Sequence, residues 1–261
     1  MDRWYALSRK PLCFQAKADN CMVNYLSRRL FLSACVGTFA TALMARGDAP
    51  DAMPEKLDHL LLGCSNLDSG IMFVEERIGV RAAFGGAHPG GGTQNALLSL
   101  GERRYLEIIA PDPAEPDAKE PLRLALEKLS EPRLVGWAVH PADLASFAKK
   151  LREAGVAFEG PTPGSRKRPD GRVLHWQGLS LKEDASGVLP FFIEWSADSL
   201  HPSVDSPAGC RLTGFELVTP EPEKLTKMVA LLSLNLPIAK GDRPQLRATL
   251  TGPKGNLELS S

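Results

Sequence analysis

The chain has 261 residues, 43% of them apolar, and its lysines plus arginines equal its aspartates plus glutamates, for a formal net charge of zero. A core can form from that composition, and the charge balance argues against a dedicated nucleic-acid binder, which carries a basic excess. In chain order, residues 1–52 read as a leader. Arg28-Arg29 precede an apolar run, 30–45, that ends in small residues, with Ala40-Thr41-Ala42 fitting a cleavage pattern. The run is short for a membrane-spanning helix, which needs about 20 apolar residues, and reads as an export signal. Met22 offers an alternative start that gives a short positive region. The expectation is an exported, periplasmic protein that meets a membrane only through this signal. Of five cysteines, Cys64 and Cys210 remain beyond the leader. They form either one disulfide in an oxidising compartment or two buried thiols, and the lack of a Cys-x-x-Cys pair argues against structural zinc.

Beyond the leader the sequence repeats. Apolar runs at 57–62, 134–139 and 212–217 each read as a strand. Each is followed by a helix start marked by acidic or proline residues, at Asn66-Leu67-Asp68, Pro141-Ala142-Asp143 and Pro220-Glu221-Pro222-Glu223. Matched stops follow at Gly79, Gly155 and Asn235, residue types that accept the left-handed conformation past a helix end. Each unit closes with strands whose last member carries a glutamate: Glu107, Glu194 and Glu258. A surface helix is expected from about Pro121 to Leu129, between the first two units.

Two resemblances rest on these residues. Ser27-Arg28-Arg29-Leu30-Phe31-Leu32-Ser33 resembles a twin-arginine export signal, with an ordinary secretory leader as the alternative. A βαβββ unit with His59 on its first strand and Glu107 on its last resembles the vicinal-oxygen-chelate superfamily. A narrower resemblance is to the glyoxalase-like domain group, carried by Leu57-Asp58-His59-Leu60, by the stretch from His88 to Asn95 and by Tyr105-Leu106-Glu107-Ile108-Ile109-Ala110-Pro111. Arg168-Pro169-Asp170-Gly171-Arg172, Phe191-Phe192-Ile193-Glu194-Trp195 and His201-Pro202-Ser203 carry it further. The resemblance implies an α+β fold of repeated βαβββ units forming curved mixed sheets around a cavity. Residues 56–205 would hold two units (56–113 and 133–200), and 208–261 a third, truncated βαββ unit.

Superfamily metal ligands come from the first and last strands of paired units. Carried over position by position they fall on His59, Glu107, Gly136 and Glu194. Gly136 has no side chain to give, so the implied metal set is His59, Glu107 and Glu194, suited to Fe(II), Mn(II) or Zn(II). His88, Glu107 and Glu194 are the catalytic candidates, with His88 at the cavity mouth as a fourth ligand or an acid–base group. Asn95, Arg172 and Trp176 are the substrate-binding candidates. The basic stretch of Arg166, Lys167, Arg168 and Arg172 reads either as a solvated hairpin tip or as an anion clamp for a carboxylate or phosphate. Structural alternatives stand beside the other candidates: a satisfied core histidine at 59, hydrogen-bonded buried carboxylates at 107 and 194, core packing for Trp176, and a loop-pinning role for His201. No nucleophile elbow, phosphate loop or dinucleotide fingerprint is present. The resemblance implies an exported metal-dependent lyase, isomerase or dioxygenase acting on a small vicinal-oxygen compound. The alternative is a metal-free protein that binds or sequesters a small molecule. No nucleic-acid partner is expected, and a homodimer is compatible with the reading.

Overall fold

The computed structural model describes residues 54–182, 184 and 187–261; the expected leader, with its export signal, lies outside them. The elements run β1 (Leu57–Gly63), α1 (Leu67–Ile78), β2 (Ala83–His88), β3 (Thr93–Gly101), β4 (Arg104–Pro111), α2 (Pro121–Leu126), β5 (Arg133–Val139), α3 (Leu144–Glu153), β6 (Phe158–Lys167), β7 (Val173–Leu181), β8 (Phe191–Trp195), β9 (Arg211–Thr219), α4 (Pro222–Leu231), β10 (Ile238–Lys240), β11 (Gln245–Gly252) and β12 (Gly255–Ser260). Among the described residues no helix is long and apolar enough to cross a membrane.

The first two units close into one eight-stranded barrel, in the order β1-β4-β3-β2-β6-β7-β8-β5. The antiparallel pairs β1–β5 and β2–β6 join the halves. Local chemistry sets the helix ends. The Asn66 side chain accepts from Ser69 N at 2.9 Å to start α1, and Asp143 accepts from Ser146 N at 2.9 Å to start α3, satisfying donors that a first turn leaves open. Gly79 (φ 79°) and Gly155 (φ 72°) turn the chain after α1 and α3.

The third unit departs from expectation twice. Its helix ends at Leu231, short of Asn235, because Ser233 takes the left-handed turn (φ 58°). It is also not truncated, since the short β10 completes a βαβββ order. Its strands are arranged differently, however: β10-β9-β11-β12, with β9 inside the sheet and β12 at an edge.

Strand alternation divides the barrel residues between two environments. Leu60, Leu62, Leu98, Leu106 and Ile108 face outward, into one apolar core with Ile71, Val74 and Ile78 of α1. Each fully buried side chain of this size stabilises the fold by about 1.5–3 kcal/mol. The third sheet shares that core: Trp137 of β5 and Phe215 of β9 meet edge to face at 4.9 Å. The opposite face of the same strands lines the barrel interior, and the titratable groups gather there. Cys64 and Cys210 are buried free thiols, so the disulfide is not made. Burial pushes both thiols up to about 11.

Candidate functional site

The barrel interior holds a cavity of about 510 Å³. A larger hollow, about 800 Å³, lies over the third sheet beside Glu216, Arg247 and Glu258. There Arg247 is already paired with Glu216 at 3.4 Å and Glu258 is exposed. The chemistry converges in the smaller cavity.

Its first component is a local departure from strand geometry. The β1–β5 register slips between Leu57 and His59, so Asp58 bulges out of the pairing. A bulge re-aims a side chain that alternation would send to the other face. The Asp58 carboxylate thereby reaches its own neighbour: His59 Nδ1 stands 2.7 Å from Asp58 Oδ1. Asp58 is fully buried and also receives Trp195 Nε1 at 3.2 Å and His201 Nε2 at 3.2 Å. Burial alone would raise its pKa, but the hydrogen bonds from His201 and His59 outweigh it and hold the carboxyl well below the usual carboxylate range. An ionised carboxylate only accepts, so His59 Nδ1 carries a hydrogen and Nε2 faces the cavity. Tyr105 stacks on the imidazole at 4.5 Å and Phe191 meets it edge-on at 5.4 Å.

The second component is Glu107 on β4. Its Oε2 lies 3.5 Å from His59 Nε2, and its Oε1 lies 3.6 Å from His88 Nε2. Asn95 on β3 donates to Glu107 Oε1 at 2.6 Å and receives Arg166 Nη1 on its Oδ1 at 2.6 Å. Because a guanidinium only donates, this contact orients the Asn95 amide. Its nitrogen then also faces His88 Nε2, at 3.3 Å, while His88 Nδ1 is held by Thr93 Oγ1 at 2.9 Å. Burial would raise Glu107, but His88 and His59, then Asn95 and Arg166, hold it below its ordinary value. Burial lowers His88, with Glu107 opposing the shift. The glycine-rich segment is a tight turn between β2 and β3: Glu115 accepts from Gly90 N and Gly92 N at 3.2 Å each, and Gly91 lines the cavity beside His88.

The family model described as "Glyoxalase-like domain" matches residues 57–232. The chain belongs to the glyoxalase-like domain family. Eight strands closed around a cavity fit the vicinal-oxygen-chelate fold of that domain. Among solved structures, a hypothetical protein from Staphylococcus aureus is 18% identical with a TM-score of 0.59, over 72% of this chain and 87% of that one. Methylmalonyl-CoA epimerase from Mycobacterium tuberculosis is 23% identical with a TM-score of 0.41, over 54% and 88%. An epimerase of the same name from Streptomyces coelicolor, in complex with 2-nitronate-propionyl-CoA, is 22% identical with a TM-score of 0.43, over 57% and 99%. No curated protein matches the chain.

In this glyoxalase-like domain His59, His88, Asn95, Glu107 and Trp176 all line the cavity. Glu194 does not. It lies on β8 one position out of phase with the inward residues Phe191, Ile193 and Trp195, and a one-residue phase difference puts a side chain on the opposite face. Its Oε2 instead accepts from Leu144 N at 3.0 Å, at the start of α3, where open N–H groups and the helix dipole favour a carboxylate. The expected metal set of His59, Glu107 and Glu194 is therefore not assembled. The fourth family position, Gly136, leaves open space where a Cβ would stand. Arg172 is likewise outside the cavity: it is an exposed hairpin residue paired with Asp170 at 2.6 Å and Asp205 at 2.8 Å. Arg166, six residues earlier, is the basic residue that β6 turns inward. Of the basic stretch read from the sequence as a hairpin tip or an anion clamp, Arg166 is thus the member in the cavity, while Asp58, Tyr105, Trp195 and His201 were not among the sequence-derived site residues. The run of alternating residues 105, 107 and 109 could have flagged Tyr105; the bulge that redirects Asp58 leaves no mark in the sequence.

Proposed function

We propose that this glyoxalase-like domain is an exported enzyme that moves a proton on a small oxygen-bearing compound, in a reaction of isomerase or lyase type with His59 as the acid–base group. One observation carries the reading: His59 Nε2 opens on the cavity while Nδ1 is fixed on a fully buried carboxylate, Asp58, at 2.7 Å. That arrangement sets the tautomer and the ring orientation that a general base needs. A proton taken up at Nε2 has Glu107 Oε2 before it at 3.5 Å and Asp58 behind the ring, so the developing charge faces a carboxylate on each side. Trp176, Phe191 and Trp195 give the cavity an aromatic wall beside His59. Export is supported by Arg28-Arg29 and the apolar run after them.

The test is proton exchange. In deuterated water, wild-type protein should introduce deuterium beside the carbonyl of a member of a panel of 2-oxo and 2-hydroxy acids and esters, followed by proton NMR. His59→Gln should lose about two to four orders of magnitude of that rate. If wild type exchanges no compound faster than H59Q, the reading fails.

A second reading has its own observation. Both imidazoles have their Nδ1 tied back, to Asp58 and to Thr93, and turn Nε2 toward the one carboxylate of Glu107. Ligands about 2.0–2.2 Å from one ion stand about 3–4 Å apart, and the two separations here, 3.5 and 3.6 Å, fall in that range. His59, His88 and Glu107 would hold a divalent ion, which when bound would polarise adjacent ligand oxygens. Among the described residues no group of three such side chains is already gathered to hold an ion. The Asn95 amide occupies His88 Nε2 and Glu107 Oε1 as they stand, which is why acid–base chemistry at His59 is the primary reading. Titration with Mn(II) and Zn(II), comparing wild type with His88→Ala, separates the two.

A further inference from the structure

Arg166 is 2% exposed and lines the cavity. A buried guanidinium is ordinarily paired, because an unpaired charge away from water is costly. Arg166 is not paired. Among the described residues it forms no ion pair, and one of its donors is used, by Asn95 Oδ1 at 2.6 Å. Glu107 is hydrogen-bonded to it only through that amide, and the two charges attract across it.

The backbone is shaped around this side chain. A Cβ at Gly85 would stand 2.2 Å from Arg166 Nη1 and 2.4 Å from Asn95 Oδ1. A Cβ at Gly86 would stand 2.4 Å from Lys167 O and 3.2 Å from Arg166 Cγ. Two glycines on β2 thus form the seat of one buried cation. A packing role does not require a guanidinium held this closely in a cavity wall without a carboxylate in direct contact.

We infer that Arg166 is the anchor for a carboxylate of the ligand, and that the cavity takes a small organic acid with an apolar or aromatic body. This deepens the acid–base reading of the same cavity and rests on it. The planar fork of a guanidinium matches the two oxygens of a carboxylate. The remaining wall, with Leu122, Trp176, Phe191, Ile193 and Trp195, suits an apolar body better than a second charge. A doubly charged phosphate would leave one charge unmatched here, because Arg166 is the one arginine or lysine among the lining residues. With its carboxylate on Arg166, such an acid presents the atoms beside that group to the polar cluster of His59, Glu107 and His88.

Benzoylformate and its methyl ester share the aromatic body and the 2-oxo group, and differ in the charge at issue and in one methyl group. Calorimetric titration of the purified full chain should show the acid binding at least tenfold more tightly than the ester. Arg166→Gln should weaken the acid by about ten- to a hundredfold and leave the ester unchanged, the loss of one charge-assisted anchor. Gly85→Ala, which pushes Nη1 off its seat without altering Arg166, should reproduce the effect, and it guards against an Arg166 variant that does not fold. Equal binding of acid and ester, no binding of the acid, or unchanged selectivity in both folded variants overturns the inference. His59→Gln separates it from the acid–base reading. Retained acid selectivity with no His59-dependent proton exchange in wild type leaves the anchor standing and removes the base; exchange without acid selectivity does the reverse.

Discussion

Asp58→Asn tests the centre of the site most directly. The carboxylate is fully buried and takes three hydrogen bonds, from His59 at 2.7 Å, His201 at 3.2 Å and Trp195 at 3.2 Å. Asparagine has nearly the same shape, but it turns an NH2 toward groups that donate. Breaking a buried hydrogen-bonded ionic cluster by removing one partner costs about 3–5 kcal/mol. In a domain of this size about 1 kcal/mol corresponds to roughly 2–4 °C in Tm, so the variant should melt about 6–20 °C below wild type at neutral pH. The sign of the pH dependence follows from the depressed pKa of Asp58. A carboxyl held below its unfolded value stabilises the fold fully above that value, and the contribution is lost as pH falls toward the folded one. The gap between wild type and D58N should therefore be widest above about pH 5 and narrow as pH drops below about 4. Calorimetric melting curves from pH 3 to pH 7 measure it. A D58N protein that melts with wild type at neutral pH, or a gap that widens in acid, would refute the account of Asp58 as an ionised anchor.

Glu107→Gln should leave the fold intact, since Asn95 can still donate to the amide oxygen, and should lower proton exchange by at least tenfold under the NMR assay. Glu194→Gln should cost about 0.5–2 kcal/mol in denaturant unfolding through the start of α3, with benzoylformate affinity unchanged; a loss of affinity would return Glu194 to the cavity. Replacing both Arg28 and Arg29 with lysine should hold precursor in the cytoplasm if export follows the twin-arginine route, read by fractionation and blotting, whereas normal export points to the general route.

Much of the fold was legible because it depends on short-range chemistry. Gly79 and Gly155 stop their helices for a reason visible in one residue, the ease of positive φ. Asn235 misled because Ser233 took that conformation two residues earlier, closing α4 sooner. The third unit showed its strand–helix–strand order in sequence, but which strands become neighbours depends on long-range packing that no local pattern encodes. The site divided along the same line. His59, His88, Asn95 and Glu107 lie on strands whose alternation places them inward. Glu194 had the same residue type on the matching strand, yet a single step of phase gave it to α3. Arg172 and Arg166 belong to one basic stretch, and only the position of the β6–β7 turn decides which is solvated and which is buried. Asp58 was hidden by the bulge, since strict alternation sets it opposite His59.

The closed ring of eight strands has a consequence for how this molecule meets others. A strand can be extended by a foreign chain only where its backbone N–H and C=O groups lack a neighbour. The ring is thinly joined at one seam, where β2 and β6 pair at Ala87 and Lys167 alone, and the separate four-stranded sheet has its borders at β10 and β12. β10 has three residues, and along β12 the exposed side chains are Asn256, Glu258 and Ser260, a polar row that discourages unplanned pairing. Backbone-to-backbone joining of copies is therefore open at the β2–β6 seam and at β10, and discouraged along β12 by that polar row.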